Sequence, residues 1–194
     1  MAYRKTPLVK ANAKAKREAI IQATIGAIAR EGLHGLTTDQ IAEKAEVSAG
    51  LLYRYFPDRN EMIAIAMAQI LAEHTAAIRA SESFADGPID LVAAIIVLYD
   101  FFKEPPLVSA LFATPLYREG IRDELAGIIK RAALLSSKER KTAAAATLGI
   151  LEAIHGEFGS GPKAASIAVA FSLRAIGVPN AAINRAIDRF SMQA

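Results

Sequence analysis

Cysteine is absent from this chain of 194 residues, which excludes disulfide bonds, thiolate metal sites and cysteine nucleophiles. Only three histidines are present, and His34, His74 and His155 are too scattered along the sequence to indicate a metal site. We expect His74 and His155 to be core or surface residues rather than ligand contacts. No metal and no cofactor is therefore predicted.

Motifs of the common enzyme classes are also missing. The sequence has no serine-centred elbow and no helix with the paired histidines of a zinc protease. Residues 156–161 have the glycine spacing of a phosphate-binding loop, but Pro162 replaces the lysine that such a loop requires. A loop between two helices explains these glycines, so we expect no catalytic residues and a protein that is not an enzyme.

Long apolar runs are lacking as well, since none approaches the roughly 18 residues that a transmembrane helix needs. The basic start followed by AIIQATIGAIA has features of a secretory signal. However, Gln22 and Thr24 interrupt the run, whereas Ile21, Ile25 and Ile28 fall at helical spacing. We therefore interpret this stretch as an amphipathic first helix and expect a cytoplasmic protein.

Acidic residues are absent from residues 1–17, which carry six basic residues. Residues 1–60 contain ten basic and six acidic residues (net +4), and residues 61–194 contain 13 and 14 (net −1), which together give the +3 of the chain. Positive charge concentrated in one part of a chain suits phosphate binding. We predict phosphate contacts for Lys14 and Arg17. The residues before them are expected to form a solvated, partly disordered tail that includes Arg4, Lys5 and Lys10.

Two short helical patterns separated by a tight turn lie within residues 37–62, TTDQIAEKAEVSAGLLYRYFPDRNEM. Thr37 precedes Gln40 by three residues, which is the spacing of a capping box, and Ser48 is the next plausible N-cap. Leu52 and Phe56 are four residues apart, which predicts that they share a buried face of the second helix. Polar and aromatic side chains are then exposed on its opposite face. This arrangement is what a helix-turn-helix that reads DNA requires.

The remaining sequence shows only helical patterns. They cover residues 59–79, 89–103, 105–113, 114–135, 136–158 and 162–177, with a last short helix after Asn180. No alternation of apolar and polar residues reaches strand length, so we predict an all-α fold.

Apolar residues make up 53% of the chain, and its mean hydropathy of +0.25 is high for a soluble monomer. The helical patterns near residues 137–158 and 162–176 have faces rich in small residues, which permit close helix packing. These faces either pack inside the monomer or dock against a second copy as a four-helix bundle. The predicted dimer interface contains Thr147, Ile150, Leu151, Ile154, Ala168, Phe171 and Ala175.

Residues 37–62 resemble the DNA-binding signature of the TetR family of bacterial transcriptional regulators. The matching residues are Thr37, Thr38, Ile41, Ala42, Ala45, Val47, Ser48, Gly50, Leu52, Tyr53, Tyr55, Phe56 and Arg59. Two positions depart from the signature. Glu46 stands where the family most often has glycine, so we expect the backbone there to avoid positive φ. Leu51 is apolar where the family commonly has a small or polar residue.

The resemblance implies an N-terminal three-helix DNA-binding domain of the helix-turn-helix type (1–58) and a C-terminal helical bundle for ligand binding and dimerisation (59–194). The implied partners are double-stranded operator DNA, a second copy of the chain and a small effector molecule. Apolar and aromatic side chains along residues 89–117 favour a hydrophobic or aromatic effector over an anion. The candidate pocket residues are Leu98, Tyr99, Phe102, Phe112 and Tyr117, for which ordinary core packing is the alternative.

The predicted DNA-binding residues are Lys14, Arg17, Thr38, Ser48, Ala49, Gly50, Leu51, Tyr53, Arg54, Tyr55 and Arg59. Gly50 lacks a Cβ, which lets the second helix approach DNA closely. Thr38 and Ser48 offer hydroxyls and helix N-termini to phosphates. The resemblance implies that the hydroxyls of Tyr53 and Tyr55 contact phosphates too.

Base recognition has few candidates. Ala49 and Leu51 suit thymine methyl groups, and Arg54 suits a guanine edge. A phosphate contact or an intramolecular ion pair is an equal alternative for Arg54. Arg59 is expected to contact a phosphate, because it lies at the start of the long helical pattern that covers residues 59–79.

These features support a ligand-responsive repressor that binds a palindromic operator as a homodimer and is released by its effector. Two alternatives stay open. One is a helical DNA-binding co-regulator or architectural protein that has no ligand, and the other is a ligand-carrying bundle that has lost DNA binding.

Overall fold

The computed structural model describes residues 7–81, 87–102, 104–132, 135–159 and 161–191. Ten α-helices and no strands lie in these ranges, which confirms the all-α fold. The helices are α1 (Pro7–Gly35), α2 (Thr38–Lys44), α3 (Ala49–Tyr55), α4 (Arg59–Ser81), α5 (Gly87–Phe101), α6 (Pro105–Ala113), α7 (Pro115–Ala132), α8 (Ser137–Phe158), α9 (Pro162–Ala175) and α10 (Asn180–Ser191).

The chain divides into two compact units, Met1–Ile70 and Leu71–Ala194, and the division falls inside α4. The boundary predicted from the sequence lies at the start of this helix instead. The first turns of α4 belong to the first unit because Arg59 bonds to backbone carbonyls near the end of α1, and because Gln69 Nε2 donates to Glu18 Oε1 at 3.3 Å. The assignment of separate functions to the two domains stays a prediction.

The first unit has an apolar core to which α1, α2 and α3 all contribute. Its fully buried side chains include Ile20, Ile28, Ile41 and Leu52, each with 0% of its surface exposed. Ile20 and Ile28 are eight residues apart, so they lie on one face of α1. The helix bends at Gly32, whose φ of 68° is a conformation that glycine adopts without strain.

The second unit is a bundle in which α5 and α8 each pack against both α7 and α9. α6 packs on α7, and α10 packs on α9 and α5. α5 is the most enclosed helix, since every residue from 90 to 95 is buried. A helix that is apolar on nearly all sides is typical of the centre of such a bundle.

One described helix, α4, is long and apolar enough to cross a membrane by length and composition alone. The expectation that no stretch meets this test is therefore wrong. A single such helix is weak evidence, because a helix in a protein core passes the same test. Met67, Ile70, His74 and Ile78 are buried and recur at helical spacing, which gives α4 one buried face.

Candidate nucleic-acid interface

The helix-turn-helix unit begins at the capping box predicted for α2. The backbone N–H of Gln40 donates to Thr37 Oγ1 at 3.3 Å, and the N–H of Thr37 donates to Gln40 Oε1 at 3.0 Å. These reciprocal bonds satisfy two amides that have no partner inside the helix. They make Thr38 the first residue of α2, with its side chain partly exposed.

The turn after α2 contains a left-handed residue that is not glycine. Glu46 has a φ of 53°, so the expectation that its backbone avoids positive φ is wrong. The N–H of Glu46 donates to the carbonyl of Glu43 at 3.1 Å, and the N–H of Val47 donates to that of Ala42 at 3.0 Å. This pair of bonds is a Schellman motif, which requires a left-handed residue after the C-cap. Glu46 forms this motif although the left-handed conformation is less favourable for glutamate than for glycine.

The second helix, α3, is capped by Ser48, whose Oγ accepts the N–H of Leu51 at 3.2 Å. Leu52 and Phe56 have no exposed surface, which confirms the predicted buried face. Four of the predicted DNA-binding residues lie exposed on the other side, namely Ala49, Gly50, Tyr53 and Arg54. Two more are partly exposed, namely Leu51 and Tyr55. The helix therefore presents a continuous outer surface to solvent.

Gly50 lies on this outer surface without any internal reason to be glycine. A Cβ built at this position meets no atom within 4 Å, whereas a Cβ at Gly120 would approach Leu71 to 2.5 Å. Glycine is less favourable than alanine in a helix by about 1 kcal/mol. Packing explains the glycine at position 120, but nothing within the described chain explains Gly50.

Tyr53 and Thr38 are brought together by the unit. The hydroxyl of Tyr53 donates to Thr38 Oγ1 at 3.4 Å, which links α3 to the first residue of α2. Both were predicted separately as phosphate contacts, and the structure places their hydroxyls at one exposed point. Two hydroxyls beside a helix N-terminus form a suitable environment for a phosphate oxygen.

Arg54 is exposed and has no hydrogen bond or ion pair with any described residue. The intramolecular ion pair that the sequence left open is therefore not formed within the described ranges. Its guanidinium retains all its donors for an external partner, and a bidentate contact to guanine or to phosphate uses two of them.

Arg59 has a structural role that the sequence did not predict. Its Nε donates to the carbonyl of Leu36 at 3.2 Å, and its Nη2 donates to the carbonyl of Leu33. Both acceptors follow the bend at Gly32, where helix carbonyls lack partners. They lie 23 and 26 residues away in the sequence, so no local pattern reveals them. A phosphate contact by Arg59 stays a prediction.

The predicted contacts on α1 are both exposed. The guanidinium carbon of Arg17 lies 5.1 Å from the ring centre of Phe56, which is a cation–π contact at the end of α3. Lys14 lies one turn earlier on α1. Lys10 is exposed, as predicted for a solvated tail, but it lies in α1, so the prediction that this part of the chain is partly disordered is wrong. Arg4 and Lys5, the other two residues of that predicted tail, lie outside the described residues.

Glu18 is the acidic residue among these basic ones. Its carboxylate accepts Nε2 of Gln22 at 3.1 Å and Nε2 of Gln69 at 3.3 Å. These hydrogen bonds, with smaller contributions from Arg17 and Lys14, lower the pKa of Glu18 below its usual value. No cluster of histidine and acidic side chains in the described parts of the chain is arranged to hold a metal ion.

The five residues predicted to line an effector pocket are all buried in the second unit. The ring centres of Tyr99 and Phe102 are 5.8 Å apart, and those of Phe102 and Phe112 are 5.4 Å apart. The Tyr99 hydroxyl donates to the carbonyl of Leu151 at 3.3 Å, and burial raises the pKa of Tyr99 to about 12. These side chains form an aromatic cluster, whereas a pocket beside them stays a prediction.

His74 is a core residue in the second unit, with 4% of its surface exposed. Its Nδ1 is 2.7 Å from the hydroxyl of Tyr117, and its ring stacks on Phe101 with the centres 3.9 Å apart. Burial lowers the pKa of His74 to about 4 and raises the pKa of Tyr117 well above its usual value. Both groups are therefore neutral at pH 7.

Three buried polar atoms of α8 and α9 have no hydrogen-bond partner in the described structure. They are Thr147 Oγ1, His155 Nδ1 and Ser172 Oγ. The ring of His155 lies 5.8 Å from that of Phe102, at the edge of the aromatic cluster. Buried polar groups normally have a protein, water or ligand partner. The second unit therefore contains polar groups that a bound molecule can satisfy.

The residues predicted for a dimer interface divide into two groups. Those buried inside the protomer are Thr147, Leu151 and Ala168. Their side chains face the interior of the bundle and cannot contact a second copy, so for these three the prediction is wrong. Those that retain exposed surface are Ile150, Ile154, Phe171 and Ala175. Phe171 is the most informative of them, because 56% of this large apolar side chain is exposed.

Comparison with known proteins matches residues 20–65 to the family model described as bacterial regulatory proteins, tetR family. The nucleoid occlusion factor SlmA of Glaesserella parasuis is 26% identical over 103 residues, which cover 53% of this chain and 51% of that protein. The HTH-type transcriptional regulator RutR of Escherichia coli is 33% identical over 128 residues, which cover 64% and 58%. The chain thus spans about half the length of the curated relatives it matches.

Solved structures share the fold over most of the chain. RolR in complex with resorcinol superposes with a TM-score of 0.66 at 18% identity and covers 93% of this chain and 96% of its own. A TetR-family transcriptional regulator from Streptomyces coelicolor has a TM-score of 0.67 at 14% identity and covers 91% and 88%. At such low identity, these similarities establish the fold alone.

The capped α2, the Schellman turn and the exposed α3 define a helix-turn-helix protein of all-α architecture. The match over residues 20–65 contains this whole unit. Residues 20–65 of this chain therefore match the DNA-binding region of bacterial regulatory proteins of the tetR family.

Proposed function

We propose that this chain is a transcriptional repressor that binds a palindromic DNA operator as a homodimer and is released by a small hydrophobic or aromatic effector. The observation that carries the proposal is the outer surface of α3. It is open at Gly50, it holds the hydroxyls of Tyr53 and Thr38 together, and it presents the unpaired guanidinium of Arg54. A helix with these groups at its start suits the major groove of DNA.

A fluorescence-anisotropy titration tests DNA recognition directly. Labelled duplex DNA from next to the chain's own gene is compared with a scrambled duplex of the same composition at physiological salt. Specific binding is expected to exceed non-specific binding by about 10³-fold or more. Equal affinity for the two duplexes would refute specific recognition.

The homodimer is supported by the apolar surface that α8 and α9 leave exposed. Ile150 and Ile154 on α8 are partly exposed, Phe171 on the adjoining α9 is 56% exposed, and apolar side chains at the surface of two packed helices suit an interface. Phe171→Asp is expected to raise the dissociation constant of the dimer in analytical ultracentrifugation. Leu8→Asp is the matched control, because Leu8 is 70% exposed on α1, in the other compact unit of the chain. If both variants leave the dimer intact, this surface is not the interface.

The effector is supported by the aromatic cluster and by the unpartnered polar atoms beside it, such as His155 Nδ1. A ligand that binds the DNA-free conformation better than the DNA-bound one shifts the population away from DNA. Resorcinol, the ligand in the RolR structure, is a suitable first probe because it is a small hydroxylated aromatic. Resorcinol and related phenols should raise the melting temperature and release the operator, whereas aliphatic anions should not.

A second candidate is a DNA-binding architectural protein or co-regulator that has no effector. The similarity to SlmA, whose name describes nucleoid occlusion, favours this alternative. It predicts that no aromatic compound releases the DNA and that binding sites are spread over the chromosome. Chromatin immunoprecipitation with sequencing distinguishes the two, since the repressor is expected at few promoters.

A further inference from the structure

The first part of α1 contributes nothing to the core of the protein. Residues 7–19, which we call the α1 extension, are exposed except for the partly buried Ala13, and the first buried residue of the helix is Ile20. At 1.5 Å per residue, the extension is about 20 Å long. An isolated helix of this length is only marginally stable in water. Apart from the contacts of Arg17 with Phe56 and of Glu18 with Gln69, packing within the described chain does not explain its sequence.

Three of the four basic side chains of the α1 extension lie along one side of the helix, and Lys16 lies on another. Lys10, Lys14 and Arg17 have the spacing i, i+4 and i+7, so they fall within an arc of about 60° on the helix surface. We call these three residues the basic stripe. The one acidic residue of the α1 extension is Glu18, which stays negatively charged while it accepts hydrogen bonds from two neutral glutamine side chains. The stripe carries three positive charges against this one negative charge and is therefore net positive.

The basic stripe starts beside the end of the recognition helix. Arg17 stacks over Phe56, the C-cap residue of α3, with 5.1 Å between the guanidinium carbon and the ring centre. Lys14 and Lys10 follow at one and two turns along α1, farther along the helix from this contact. The stripe therefore begins beside the C-terminal end of α3 and continues along the exposed part of α1.

The length of the stripe suits a DNA strand. The helix rises about 10 Å between Lys10 and Arg17, and one strand of DNA carries about three phosphates over that length. We propose that the basic stripe binds the phosphates of DNA that flanks the base pairs contacted by α3. This contact lengthens the protected segment and adds affinity without adding sequence selectivity. The inference rests on the proposed function, because it requires α3 to bind DNA.

An anionic membrane is a less suitable partner for this helix. A helix that lies on a membrane needs a broad apolar face opposite its charges. The α1 extension has only Leu8 and Val9 as large apolar residues, 70% and 38% exposed, and both lie in its first turn. Its other uncharged positions are mostly alanines. Phosphates of DNA match the stripe better than a lipid surface does.

The test compares the salt dependence of DNA binding between the wild-type chain and the double variant Lys10→Gln/Lys14→Gln. Glutamine has nearly the same helix propensity as lysine, so the helix is expected to persist. Each phosphate contact contributes about 0.9 to the slope of log K against log salt concentration. The double variant should therefore lose about 1.8 from the slope and bind on the order of 10-fold more weakly near 0.15 M salt. Its preference for operator over scrambled DNA should not change.

The matched control is Lys138→Gln/Lys141→Gln, which removes two exposed lysines from α8. This variant should retain the wild-type slope. A duplex trimmed to the base pairs that α3 protects should also give equal slopes for the wild type and for the Lys10/Lys14 variant. Circular dichroism of each variant confirms that its helix content is unchanged.

Three results would overturn the inference. An unchanged slope in the Lys10/Lys14 variant, with specific operator binding intact, rejects the stripe and leaves the proposed function standing. Loss of binding to vesicles of phosphatidylglycerol in that variant, with no change in the DNA slope, assigns the stripe to a membrane. A wild-type chain that does not prefer its operator over scrambled DNA rejects both the inference and the proposed function.

Discussion

The substitution Gly50→Ala separates a requirement of DNA binding from a requirement of folding. The added methyl group meets no atom of the protein within 4 Å. Alanine is favoured over glycine by about 1 kcal/mol in a helix interior, and roughly half of this is expected at the second residue of α3. The variant should therefore be more stable than the wild type by about 0.5 kcal/mol. In a chain of this size, that corresponds to a rise of about 1–2 °C in the melting temperature.

DNA binding should change in the opposite direction. The methyl group projects from the surface of α3 that faces DNA in the proposed complex, and it would hold the helix away from the groove. Loss of a single well-formed base or phosphate contact costs about 1–3 kcal/mol. We therefore expect the operator affinity to fall by about 10-fold or more. The assay is thermal unfolding and operator anisotropy on the same protein preparation.

The matched control is Gly127→Ala in α7, where an added Cβ also meets no atom within 4 Å. This variant should be at least as stable as the wild type and should bind the operator with unchanged affinity. The reasoning would be refuted if Gly50→Ala kept the wild-type operator affinity. It would also fail if Gly127→Ala weakened DNA binding to the same extent, since the effect would then not be specific to α3.

Three further predictions follow from single side chains. Glu46→Gly should raise the free energy of unfolding by about 1 kcal/mol in urea unfolding, because glycine adopts the left-handed backbone conformation of this position without strain. An equal gain from Glu46→Ala would show that removal of the negative charge causes the effect. Burial lowers the pKa of His74 to about 4 in the folded protein, so the unfolded chain binds a proton at this histidine more readily. The free energy of unfolding should therefore fall by up to about 3 kcal/mol as the pH drops from 6.5 to 4. His74→Phe should remove this part of the pH dependence. Tyr53→Phe and Arg59→Ala should both weaken binding to operator and scrambled DNA alike, but only Arg59→Ala should also lower the unfolding free energy, since its side chain bonds to two backbone carbonyls. Equal losses of stability in the last two variants would contradict the different roles assigned to them.

The features that the sequence predicted correctly depend on contacts between residues close in the chain. The capping box at Thr37 was recognised because the cap and its partner Gln40 are three residues apart. The buried face of α3 was recognised because Leu52 and Phe56 are four residues apart. Local spacing also gave the order of the helices.

The features that the sequence did not predict depend on contacts between residues far apart in the chain, or on which of several similar helix faces is buried. Arg59 and its carbonyl acceptors are 23 and 26 residues apart, and His74 and Tyr117 are 43 residues apart. In α8, small and apolar residues occupy several sides of the helix, so the sequence did not reveal that Thr147 faces inward while Ile150 retains exposed surface. The left-handed Glu46 was missed because the hydrogen bonds of the turn outweigh the preference of the residue type.

Selection of binding sites from a randomised pool of duplex DNA tests the central claim most directly. The wild-type chain is expected to enrich a two-fold symmetric sequence whose half-sites are centred about one helical turn apart, roughly 34–36 Å. Gly50→Ala, used in parallel, should enrich the same sequence far more weakly. A pool that stays random after repeated rounds with the wild-type chain would contradict sequence-specific recognition by α3.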